Sequence, residues 1–80
     1  MRWRRLKLDL DETAEVFQSN RCKTFHINED EKTIRVEAKL GGDPAMVLLP
    51  YNDDEEKETI VDRLLGCGFI WEEIIVEPDK

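Results

Sequence analysis

Eighty residues make one domain at most, and a chain this short buries only about 60% of the surface its unfolded form exposes. Charged residues make up 39% of it and the net charge is −7, yet apolar and polar residues alternate in register, which excludes a disordered chain. Arg2, Arg4, Arg5 and Lys7 put four positive charges at the N-terminus and leave −11 for the remainder, an acidic body that repels phosphate backbones at long range and argues against a typical nucleic-acid binder.

In chain order, Leu6, Leu8 and Leu10 alternate with Lys7 and Asp9, which predicts a first strand beginning near Trp3. Asp11 and Glu12 close it and can cap a short helix reaching Asn20, with Ala14, Phe17 and Val16 as its inner stripe. An irregular loop is the alternative, because ten residues make a marginal helix without tertiary support. Lys23 to Ile27 reads as a second strand. A polar turn over Asn28 to Lys32 leads to the cleanest strand, Thr33 to Leu40, with Ile34, Val36, Ala38 and Leu40 inward. Gly41-Gly42-Asp43-Pro44 is a turn. Ala45 to Leu49 is a continuous apolar run between two prolines, expected as a short strand buried on both faces. Asn52 with Glu55 offers a capping box for the next helix, and Asp53 or Asp54 could serve instead. Ile60, Val61, Leu64 and Leu65 form its stripe, and Gly66 and Gly68 end it. Phe69 to Val76 is the last strand. It is apolar on both faces, with Ile70, Ile74 and Val76 on one and Phe69, Trp71 and Ile75 on the other.

This order predicts an α+β fold: a mainly antiparallel sheet of four to five strands with one or two helices on one face, the ferredoxin-like split βαβ being the nearest arrangement. Residues 1–80 form a single domain, with a basic arm at 1–5 and a charged tail at 78–80. Two cysteines without zinc spacing, no apolar run after the basic N-terminus and no span of about 20 apolar residues point to a cytoplasmic protein with reduced thiols and no membrane contact.

The inventory for catalysis is thin. With one serine (Ser19), one histidine (His26) and one tyrosine (Tyr51), a hydrolytic triad is disfavoured, and Cys22 and His26 are the only Cys–His pair within reach in sequence. In a strand those two stand roughly 13 Å apart at ~3.3 Å per residue. Asn52 to Glu56 is acidic but consecutive rather than alternating, and Lys57 stands where a calcium loop needs glycine. The helix dipole accounts for such acids in a first turn. The glycine turn lacks the spacing and lysine of a phosphate loop. No catalytic residue, cofactor or metal ligand is therefore assigned.

Function falls to surfaces. Two helices can cover one face of so small a sheet, so the doubly apolar last strand calls for another cover: a second copy of the chain or another protein. Trp3, Phe69, Trp71 and Ile75 are the expected interface, because aromatic anchors are enriched at such contacts. Asp53, Asp54, Glu55 and Glu56 are a secondary acidic surface. The reading is a small, acidic, non-enzymatic binding or regulatory protein, an inhibitor or nucleic-acid mimic of a basic partner. The alternatives are a dimeric ligand-binding domain or small enzyme, and nucleic-acid contact through the Arg2-Trp3-Arg4-Arg5 arm.

Overall fold

A computed structural model describes residues 3–72. They form β1 (Arg4–Leu6), α1 (Leu10–Val16), β2 (Thr24–Asn28), β3 (Thr33–Leu40), β4 (Asp43–Pro50), α2 (Asp54–Gly66) and β5 (Ile70–Trp71). The fold is α+β and the succession of elements is the expected one. The sheet is mixed rather than mainly antiparallel: its order is β1-β4-β3-β2-β5, with β1 parallel to β4 and β5 parallel to β2. Only β3 runs against its neighbours. Each helix therefore carries the chain between two strands of the same direction, past two intervening strands, which is not the expected split βαβ order.

Several local expectations shift. The first strand stops at Leu6, and Leu8 and Leu10 pack half-buried against the core instead of continuing it. Asp9, not Asp11 or Glu12, caps α1: its carboxylate accepts from the Glu12 amide at 2.8 Å, and Glu12 accepts from the Asp9 amide at 3.0 Å. The buried Thr13 hydroxyl donates to the Asp9 carbonyl at 2.7 Å. Asp53, rather than Asn52 with Glu55, caps α2: its carboxylate accepts from the Glu56 amide at 2.9 Å, while Glu56 accepts from the Asn52 amide at 2.8 Å. The glycine turn is two residues long, with φ of +63° at Gly41 and +91° at Gly42, conformations that suit glycine. Asp43 and Pro44 already belong to β4.

The core lies on one face of the sheet. Phe25, Ile34, Val36, Ala38, Ala45, Val47 and Leu49 meet Phe17 of the α1 terminus, Val61 and Leu64 of α2, and Phe69. Their registry follows the ladder: Phe25 opposite Val36, Val36 opposite Val47, Ala38 opposite Ala45. The second face of β4 is not covered as expected, since Met46 and Leu48 are only half-buried beside the fully buried Val47. The short dimension of 20 Å is one sheet plus one helical layer. No helix among the described residues is long and apolar enough to cross a membrane.

Candidate functional site

Alternation in the strands places Thr24 and His26 of β2, Arg35 and Glu37 of β3, and Met46 and Leu48 of β4 on the face away from the helices. The parallel pairing of Ile70 with Thr24 adds Ile70 and, two residues on, Glu72 beside His26. The Glu72 amide donates to the Phe25 carbonyl at 2.8 Å, which fixes that position.

His26, Glu37 and Glu72 thereby converge, with one donor atom from each within 4.8 Å of the others. His26 Nε2 lies 3.8 Å from a Glu37 carboxylate oxygen, and Arg35 Nε lies 2.8 Å from the same oxygen. The Arg35 Nε–H is not directed at that oxygen, so the contact is an ion pair without a hydrogen bond from this nitrogen. His26 is 8% exposed, and its Nδ1 is buried without a hydrogen-bond partner. An unpaired buried polar atom costs about 1–3 kcal/mol. Trp3 reaches across the same face, with the Arg35 guanidinium 5.8 Å from its ring. A shallow groove of about 580 Å³ runs past Trp3, Cys22, Glu37, Pro44 and Glu72.

The expected interface residues separate. Trp3 is 44% exposed and lies over the uncovered face. Trp71, 48% exposed, stacks on Phe25 at 6.0 Å and so belongs to the helical side. Phe69 is enclosed in the core, edge-on to Phe17 at 6.4 Å, and is not available to a partner. Ile75, with Ile74 and Val76, lies outside the described residues. Cys22 is exposed and Cys67 half-buried, both as free thiols.

Asp53, Asp54, Glu55 and Glu56 are all exposed and belong to a larger acidic surface. Asp9, Asp11, Glu12 and Glu15 at α1 and Glu58 and Asp62 on α2 extend it, making ten carboxylates against two cations, Lys57 and Arg63. Both cations are engaged. Lys57 is 3.2 Å from Glu29, and this hydrogen bond is the chief cause that holds its ammonium above the usual lysine range. Arg63 is raised by Cys67 first and then by Asp11, whose carboxylate it contacts at 2.6 Å across the two helices. The helices and their caps thus sum to −8. The other described residues hold eight cations against six carboxylates, net +2.

The sequence reading missed the His26–Glu37–Glu72 convergence. Its signal was the alternation itself, but only with the β2–β5 pairing known does Glu72 fall next to His26. No family model, curated protein or solved structure matches this chain.

Proposed function

We propose that this chain is a non-enzymatic binding protein that engages a basic partner protein through its helical layer, as an inhibitor or a mimic of nucleic-acid charge. One observation carries the reading: folding gathers the negative excess, −8, onto one layer and leaves +2 on the other described residues. Exposed carboxylates at Glu55, Glu58 and Asp62 fall along one side of α2 at helical spacing. The layer's two cations are counted in that −8 and are engaged within the molecule, Lys57 with Glu29 and Arg63 with Asp11, so the carboxylates of the layer far outnumber the cations beside them. Such complementarity steers association and is screened by salt.

The test is retention of proteins from the source cell's extract on the immobilised chain at low and high salt, beside a Glu55→Lys/Glu58→Lys/Asp62→Lys chain. The expected partner is basic, is held at 50 mM salt, is released by 500 mM, and is not held by the charge-reversed chain. Retention that ignores both salt and charge reversal overturns the reading. The uncovered sheet face supports a second reading, docking of a second copy, because Met46 and Leu48 are half-buried there and Ile70 is 58% exposed. A partner lost on Met46→Lys but kept on charge reversal would favour that face.

A further inference from the structure

We infer that His26, Glu37 and Glu72 form a binding site for a divalent first-row transition ion, zinc above all, on the uncovered face of the sheet. The donor set is one imidazole and two carboxylates, and three protein ligands with a fourth position open is the usual form of an accessible zinc site. Zinc bonds to nitrogen and oxygen are about 2.0–2.2 Å, so donors around one tetrahedral ion stand roughly 3.4 Å apart. Here His26 Nε2 and the Glu37 oxygen are 3.8 Å apart, and all three donors are within 4.8 Å of one another. Closing onto an ion needs a movement of about 1 Å, which rotation of glutamate side chains supplies.

A second observation concerns the imidazole itself. The His26 side chain is 10% exposed, neither ring nitrogen makes a hydrogen bond among the described residues, and Nε2 faces the Glu37 carboxylate. The imidazole is held by its strand, with Arg35 opposite on β3 and Glu72 beside it after β5, and its nitrogen is free to be a donor. A nitrogen ligand selects zinc, cobalt or nickel over magnesium and calcium, which prefer oxygen alone. Arg35 takes the outer role: its ion pair with Glu37 anchors that carboxylate, as partners of metal-bound carboxylates commonly do. The two carboxylates and one guanidinium give the site a charge of −1, which a divalent ion turns to +1. The site lies on the face opposite the acidic helices and does not depend on their role.

The experiment uses the full chain, stripped with a chelator and kept reduced. Zn²⁺ is titrated by calorimetry and Co²⁺ by its visible absorption, with Mg²⁺ and Ca²⁺ as controls. One equivalent of zinc is expected, with Co²⁺ giving the absorption of a low-coordinate site. Glu72→Gln alters an exposed side chain and spares the core, and it should weaken binding at least ~10-fold, as should His26→Gln. No saturable one-to-one binding overturns the site. So do equal affinity for Mg²⁺ or Ca²⁺, an unchanged affinity in a folded Glu72→Gln chain, or a loss produced by Cys22→Ser with Glu72→Gln unaffected.

Discussion

Lys23 shows how a residue that reads as an ordinary strand-opening cation becomes a structural part. It is 4% exposed. Its ammonium donates to the Phe17 carbonyl at 2.9 Å and the Gln18 carbonyl at 3.2 Å, just beyond α1, and sits 5.1 Å from the Phe69 ring. Carbonyls at a helix C-terminus carry partial negative charge and lack intrahelical donors, so a cation there satisfies them and complements the dipole. Lys23→Met keeps the apolar stem and removes the donor. It should destabilise the fold by about 1–3 kcal/mol, lowering the melting midpoint by roughly 4–8 °C for each kcal/mol in a domain of this size. Thermal or urea unfolding measures it. An unchanged or higher midpoint would mean that desolvating the ammonium costs as much as its hydrogen bonds return. Nothing at the level of sequence separates Lys23 from the solvated lysines, because the carbonyls it meets are brought to it by the fold.

At the scale of elements, the succession of elements and the end of α2 at Gly68 were the most legible features and the neighbours the least. Gly68 ends α2 with φ of +93°, and the Phe69 amide returns to the Leu64 carbonyl at 3.0 Å while the Gly68 amide reaches Leu65 at 3.2 Å. This is the paired bonding of a Schellman ending, with Phe69 and Leu64 both in the core. A β-carbon at Gly68 meets nothing nearer than Lys23 Cε at 3.5 Å, an ordinary contact, so the cost of Gly68→Ala is the backbone conformation. About 1–2 kcal/mol is expected. Gly66 stays within the helix and has open space around it, so Gly66→Ala should instead be neutral or stabilising by up to about 1 kcal/mol. Unfolding of the two variants side by side checks the opposite signs, and equal losses would refute this account. Helix α1 resolves the sequence's open choice between helix and loop. Its seven residues are short, but the reciprocal Asp9–Glu12 cap and the buried Thr13 and Ala14 supply the support a lone helix would lack. Strand order was not legible. Periodicity tells a strand which side to bury, not which strand to lie beside, and here β5 pairs with β2 at the edge. The same gap hid the site: Glu72 is far from His26 in sequence, and only the Thr24–Ile70 register joins them.

For the whole molecule, the decisive quantity is where the charge lies rather than how much there is. Ten carboxylates share the helical layer with two cations, so repulsion there opposes the compact state. The attractive contacts, Arg63 with Asp11 and Lys57 with Glu29, are surface pairs, and such pairs are individually weak. Added salt screens both, but carboxylates outnumber cations ten to two in the layer, so screening should stabilise. Between about 0.01 M and 0.5 M sodium chloride the screening length falls from about 30 Å to well under 10 Å, enough to separate neighbouring turns of α1 and α2 electrostatically. The melting midpoint should therefore rise across that range, on the order of 1 kcal/mol or roughly 4–8 °C. In the chain reversed at Glu55, Glu58 and Asp62 the rise should shrink, because the layer then carries five cations against seven carboxylates. A midpoint that falls with salt would show that the ion pairs outweigh the repulsion. It would also weaken the case that the helical layer presents an uncompensated field to a partner, since one distribution of charge governs both behaviours.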